Sequence, residues 1–126
     1  MKTEIITLNA ERNVTLTAYV QECGGEFSFE KRPAMLVLPG GGYLYCSDRE
    51  ADPVAMAYLQ AGYQVFILRY TLTPKGKWPL PLEDYEAAME LICANAERWY
   101  VDTGRIAAIG FSAGGHLCAC AATLSR

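Results

Sequence analysis

Histidine is nearly missing from this chain: His116 is the only one among 126 residues. Any serine that must hand its proton to an imidazole therefore has a single candidate within these residues. Long apolar runs are also lacking, and none approaches the length of about 20 residues needed to cross a bilayer. The opening Met1-Lys2-Thr3-Glu4 has no basic stretch leading into an apolar one, so no secretory signal is expected. Charge of one sign is not in excess either. A net charge of −3 with acids and bases interspersed leaves no footprint for nucleic acid or for an anionic membrane surface. Five cysteines (Cys23, Cys46, Cys93, Cys118 and Cys120) are an odd number without C-x-x-C spacing. They read as reduced, buried small hydrophobes, which points to a cytoplasmic location and to no metal. Cys118 and Cys120, two apart on a helix, face different sides and make no ligand pair. No G-x-G-x-x-G occurs, so no dinucleotide site and no cofactor are expected.

What the chain does contain is core material. Apolar residues make up 52% and charged residues 20%, in one domain's worth of sequence, 1–126, without repeats or low-complexity segments. Glu4–Leu8 and Val14–Val20 alternate around the turn-like Asn9-Ala10-Glu11-Arg12-Asn13, which predicts an antiparallel hairpin. Gly24-Gly25 breaks that pattern and a polar loop follows. Ala34–Leu38 and Val65–Leu68 are continuous apolar runs of strand length, as in strands covered on both faces. Between them, Asp52-Pro53 reads as an N-cap and first helical residue, with Val54, Ala57, Tyr58 and Ala61 marking the inward face and Gly62 the stop. Thr71–Pro81 is a proline-punctuated loop. From Leu82, the residues Tyr85, Ala88, Met89, Ile92, Ala96 and Trp99 recur at helical spacing. Asp102-Thr103-Gly104 turns the chain into Arg105–Ile109, another apolar strand, and Ala113–Leu124 forms the last helix. Alternating apolar strands and helices predict an α/β fold with parallel β-α-β units.

Gly110-Phe111-Ser112-Ala113-Gly114, directly after that last strand, has the pattern of a nucleophile elbow. A serine in a strained strand-to-helix turn crowds the positions two residues away, which then tolerate little more than a hydrogen. Acyl transfer also needs N–H donors aimed at the oxygen that gains charge. Ala113, at a helix N-terminus, offers one, and Gly40-Gly41-Gly42 after the strand ending at Leu38 offers more without side chains in the way. Both segments would lie at the carboxyl ends of parallel strands, where open α/β sheets bind ligands. A dyad within the helix is disfavoured. His116 is one turn beyond Ser112, and side chains sharing a rigid helix are poorly placed to trade a proton in line with a substrate.

The chain resembles the N-terminal half of an α/β-hydrolase of the esterase/lipase type, in its acetyl-xylan-esterase-like and hormone-sensitive-lipase-like branch. The resemblance runs from about Ala34 onward. It rests on Pro39-Gly40-Gly41-Gly42-Tyr43, Ser47-Asp48-Arg49-Glu50-Ala51-Asp52-Pro53 and Leu68-Arg69-Tyr70, then Trp78-Pro79-Leu80-Pro81-Leu82-Glu83-Asp84 and Gly110–His116. It implies a mostly parallel α/β-hydrolase-like sheet with an N-terminal antiparallel hairpin, a single partial domain cut short after the helix that follows Ser112. It further implies Ser112 as the catalytic nucleophile and the N–H groups of Gly41, Gly42 and Ala113 as an oxyanion hole. Tyr43 and Tyr45 are candidate substrate-pocket residues or, equally, loop aromatics that pin the glycine turn. The implied substrates are small-molecule, acetyl-like esters, including acetylated carbohydrates. Pro39 stands where the lipase-like branch carries histidine, which favours the deacetylase-like branch. The family's catalytic Asp and His lie on later strand ends, so the chain alone is expected to be nearly inactive. Asp84 is expected to be structural, and Ser47–Glu50 to be a solvated or capping segment in which Arg49 is the candidate for fixing the oxyanion loop. A rival expectation is a non-catalytic half-domain. The strand Arg105–Ile109 would then be a bare sheet edge seeking a homo-oligomeric or complementing partner.

Overall fold

The computed structural model describes residues 1–24, 30–72 and 77–124. The polar loop expected after Gly24 and the middle of the proline loop fall largely outside the described residues. Five strands form one sheet in the order β1-β2-β4-β3-β5: β1 (Lys2–Asn9), β2 (Val14–Val20), β3 (Arg32–Leu38), β4 (Gln64–Arg69) and β5 (Val101–Gly110). The β1–β2 and β2–β4 pairs are antiparallel, whereas β4–β3 and β3–β5 are parallel. Four of the five strands thus run the same way and β2 alone runs against them. The hairpin turn closes through Asn13 at φ 57°, with the Arg12 N–H donating to Asn9 Oδ1 at 2.9 Å. Asparagine at both roles is the turn chemistry that the sequence advertises.

Three helices cover the sheet: α1 (Asp52–Gln60), α2 (Leu80–Ala94) and α3 (Ala113–Leu124). The strand period of two sorts the core. Met35, Val37, Val65 and Ile67 face one side and pack with Ala51, Ala55 and Leu59. Leu36, Leu38, Phe66 and Leu68 face the other and pack with Ala88, Ile92, Ala96, Trp99 and Leu117. Among the described residues no helix is long and apolar enough to cross a membrane.

Several local expectations need correction. The inward face of α1 centres on Ala51, Ala55 and Leu59, flanked by Val54 and Tyr58, while Ala57 and Ala61 are exposed. Apolar residues on every side of this helix define no face until the sheet selects one. Asp52 does not cap α1: the cap position is Ala51, without a side-chain bond, and Asp52 Oδ1 instead accepts the Tyr19 hydroxyl at 2.6 Å. Helix α2 begins at Leu80 rather than Leu82, because Pro81 suits a first helical turn, which has no use for its missing N–H. It ends at Ala94, where the Asn95 side chain bonds back to the Leu91 carbonyl; Ala96 and Trp99 are still buried, but on the turn beyond. The cysteines are all free, and none is fully buried: four are half-buried and Cys93 is exposed on the outer side of α2.

Asp102–Gly104 belongs to β5 but stands out of register. Arg32 pairs with Val101 and Ala34 with Ile106, so two steps on β3 face five on β5. Pro33, which has no N–H to give, sits at the mismatch. The surplus is held as an Asx turn, with Asp102 accepting from the Gly104 N–H at 3.0 Å and from Arg105 Nε at 2.8 Å.

Candidate active site

β3 and β5 lie side by side, and Leu38 pairs with Gly110 at their carboxyl ends. The segments that follow therefore leave the sheet together. The Phe111 N–H donates to the Leu38 carbonyl at 3.1 Å and extends that pairing by one bond.

At Ser112 the backbone turns left-handed, φ 53°, before α3 begins at Ala113. Such a conformation is strained for a residue with a Cβ and persists only where the surroundings over-determine it. Here they do. A Cβ on Gly110 would collide with the Gly114 main chain and stand 2.7 Å from the Gly115 nitrogen. One on Gly114 would collide with the Leu38 carbonyl and stand 2.8 Å from that of Pro39. Both fall inside 3.0 Å, an approach that real Cβ atoms essentially never make. The small residues flanking Ser112 are thus required by space. Ser112 is exposed, whereas Ala113 and Gly114 behind it are buried. The first N–H groups of α3 have no partner within the helix and carry its positive end.

The segment after β3 is built around the same point. A Cβ on Gly40 would lie 2.9 Å from the Ser112 Cβ, so the first residue of the glycine triplet packs directly on the serine. Gly41, Gly42 and Tyr43 then take φ of 147°, 65° and 63°, curling the chain back. Gly41 has no room for a side chain, since a Cβ would meet the Tyr45 main chain. Three successive carbonyls point into protein bonds: Pro39 accepts the Tyr70 hydroxyl, Gly40 the Ser47 N–H at 2.8 Å, and Gly41 the Leu44 N–H at 3.0 Å. The Gly40 N–H donates to Glu50 Oε1 at 2.8 Å. Among the described residues no backbone hydrogen bond takes up the N–H of Gly41 or Gly42.

Tyr43 closes one side. Its hydroxyl is hydrogen-bonded to His116 Nδ1 at 2.6 Å, and its ring meets those of Tyr70 and His116 edge-on at 5.8 and 5.9 Å. His116 Nε2 lies 3.5 Å from Cys120 Sγ, and the exposed Trp78 ring sits 5.4 Å from the imidazole. Each imidazole nitrogen thus has a neighbour other than Ser112. Burial first, then the neighbouring Cys46, Tyr43 and Glu50, pushes the Tyr70 phenol far up. Burial likewise raises the Cys46 thiol to about 11. Both groups stay neutral beneath the glycine turn.

The structure thus sets Gly40 against Ser112, with Gly41, Gly42 and Tyr43 following in the same turn and Ala113 next to the serine in the chain. The Tyr45 main chain packs against Gly41, while the residue as a whole is 58% exposed. Arg49 is exposed, and the residues of its segment that bond the glycine turn are Ser47, through its N–H, and Glu50, through its side chain. Glu50 and Tyr70 are the members that sequence reading passed over. A carboxylate ten residues from its backbone partner leaves no local pattern, and Tyr70 stood out only as part of a shared motif. Asp84 lies elsewhere, 3% exposed, accepting from Arg12 Nη2 at 2.8 Å, from the Thr71 N–H at 2.7 Å and from the Thr71 hydroxyl.

The model of one protein family, BD-FAE, matches residues 26–126. Endo-1,4-beta-xylanase B of Butyrivibrio fibrisolvens is 41% identical over 91 residues, which is 70% of this chain and 14% of that protein. The acetylxylan esterase of Xylanibacter ruminicola is 32% identical over 93 residues, 73% of this chain and 19% of its own length. Among solved structures, MGS-M1, an alpha/beta hydrolase enzyme from a Medee basin deep-sea metagenome library, superposes with a TM-score of 0.95 at 48% identity. That match covers 100% of this chain and 52% of the other, so the chain spans about half of that structure and a smaller share of the two curated relatives.

Proposed function

The chain belongs to the BD-FAE family of α/β-hydrolases, and on that premise we propose that it carries the nucleophile half of a serine carboxylic ester hydrolase acting on small acyl esters, acetylated carbohydrates among them. One observation carries the reading. Gly40 packs on Ser112, an exposed residue, and among the described residues no backbone hydrogen bond takes up the next two N–H groups, of Gly41 and Gly42.

Ser112 Oγ attacks the acyl carbon, and the carbonyl electron pair moves onto oxygen. The oxyanion is assigned to the N–H groups of Gly41, Gly42 and Ala113, donors of the kind that must stand ready before the charge develops. Collapse expels the alcohol, which takes a proton, and leaves acyl-Ser112; water repeats the sequence and frees the acid. The serine proton must pass to a base. His116 is hydrogen-bonded to Tyr43 and lies against Cys120, and the reading assigns the base and its carboxylate to residues other than those described. Without them only binding and oxyanion contributions remain, a small part of the full rate. The relatives' names, an acetylxylan esterase and a xylanase, support acetylated plant polysaccharide fragments as the substrate class.

The test is incubation with 4-nitrophenyl acetate, read by intact mass and by released nitrophenol. One acetyl group on Ser112 with slow release is expected, both lost in Ser112→Ala. Acetyl on another residue, or a Ser112→Ala variant that behaves like the unaltered chain, overturns the reading.

A second reading rests on β5, which ends the sheet with Ile106, Ala108 and Ile109 only half-buried. On that reading the chain is a non-catalytic unit that pairs, as a homodimer or with a complementing chain, through this edge. Sedimentation velocity at micromolar concentration decides it, since a well-behaved monomer counts against pairing.

A further inference from the structure

One peptide unit of the glycine turn, Pro39–Gly40, is gripped at both ends by side chains distant in sequence. Its carbonyl accepts the hydroxyl of Tyr70, from just beyond β4, and its N–H donates to Glu50 Oε1 at 2.8 Å, from the 3-10 turn Asp48–Glu50. A planar trans peptide points its C=O and N–H in opposite directions. Bonds of opposite polarity at the two poles fix the rotation of its plane about the chain axis. Tyr70 is 1% exposed and Glu50 is half-buried. A flip of the unit would point the carbonyl at a carboxylate and leave a buried phenol without its acceptor, and orphaned buried polar groups are costly. Everything downstream depends on this plane. Gly41, Gly42 and Tyr43 follow at positive φ, where glycine otherwise samples many conformations. The next two carbonyls are tied only by main-chain bonds within the loop itself.

We propose that Glu50 and Tyr70 are a pair of positioning residues that clamp the Pro39–Gly40 peptide and thereby hold the N–H groups of Gly41 and Gly42 towards Ser112. The role of those N–H groups in ester hydrolysis rests on the function proposed above; the clamp itself is a statement about the loop. Glu50 acts through its oxygen as an acceptor and not through its charge, because an anion beside a developing oxyanion would by itself oppose it. The two grips act as one device, since releasing either pole frees the plane to turn.

The experiment uses the 15N-labelled chain. In the unaltered protein the Gly41 and Gly42 amides are as rigid as the sheet in 15N relaxation. Glu50→Ala and Tyr70→Phe each loosen Gly41 and Gly42, with order parameters falling from about 0.85 to below about 0.6. The double variant is no looser than the worse single one, the non-additivity expected of groups that share a partner. Glu50→Gln, whose amide oxygen still accepts from Gly40, keeps both amides rigid. Acetylation of Ser112 by 4-nitrophenyl acetate, read by mass, falls about tenfold or more in Glu50→Ala and Tyr70→Phe and recovers in Glu50→Gln. Circular dichroism confirms that each variant folds. Rigid Gly41 and Gly42 amides in Glu50→Ala, or additive effects in the double variant, overturn the clamp. An unaltered chain that never acetylates at Ser112 sinks the esterase reading instead, and the relaxation data still decide the clamp.

Discussion

Adding a methyl group at Gly114 and at Gly115 should change stability in opposite directions, although the two residues are adjacent in one helix. At Gly114 the new Cβ would meet main chain of Leu38 and Pro39, atoms that cannot rotate away. Relief requires α3 and the turn before it to retreat from β3 by about 1 Å, and overpacking of this kind costs about 1–3 kcal/mol. Because the obstacle is backbone on both sides, the upper part of that range is expected. At Gly115 the nearest atoms are the Gly110 carbonyl oxygen at 3.4 Å and carbon at 3.6 Å, an ordinary contact. Alanine there should stabilise by about 0.5–1 kcal/mol through the smaller entropy loss of a helical alanine. Urea unfolding followed by the fluorescence of buried Trp99 reads both variants. With a slope of about 1–3 kcal/mol per molar, Gly114→Ala lowers the midpoint by roughly 1 M and Gly115→Ala raises it by a few tenths. Acetylation of Ser112 should fall about 100-fold in Gly114→Ala, the scale of a 1 Å misplacement, and change little in Gly115→Ala. Stability shifts of the same sign in the two variants would refute the claim that space on one side of the serine is what selects glycine.

Cys46, its thiol raised to about 11 by burial, should carry about 100-fold less thiolate at neutral pH than an ordinary cysteine of pKa 9.0. Timed iodoacetamide labelling at pH 8, read by peptide mass, should therefore modify exposed Cys93 first and Cys46 far behind it. Burial and then the bond to Asp52 push the Tyr19 phenol up to about 12 from 10.0. Its folded value is the higher one, so the stability it lends is whole below pH 10 and drains as pH climbs towards 12. Alkaline unfolding curves should be flatter over that window in Tyr19→Phe. Arg12→Met strands the Asp84 carboxylate, 3% exposed, with only the Thr71 donors, and should cost about 3 kcal/mol in the same urea assay. Asp84→Asn combined with Arg12→Met should recover part of that loss.

The readable parts of this chain were those where one short stretch of sequence contains its own cause. The hairpin declared itself through Asn9–Asn13, the strands through unbroken apolar runs, and the serine turn through glycines two places either side of Ser112, whose collisions with neighbouring main chain supply the reason. The inward face of α1 was only half legible: Val54 and Tyr58 do flank it, but Ala57 and Ala61 looked as apolar as the Ala51, Ala55 and Leu59 that the sheet selected. Asp52 looked like a cap, yet a tyrosine 33 residues away claimed it. The supports of the glycine turn were hidden for the same reason. Glu50 and Tyr70 reach it across 10 and 31 residues, distances at which sequence spacing says nothing about which pole of a peptide a side chain will find.

The mismatch between β3 and β5 places all of this strand's slack upstream of Ile106. A residue gained or lost at Thr103 or Gly104 can be absorbed where it occurs, and the serine never registers the change. The same event between Ile106 and Gly110 would send every later side chain to the opposite side of the sheet and carry the hydroxyl away from the glycines. Length variation in this strand is thus harmless in one half and fatal to the site in the other, with the border at Ile106.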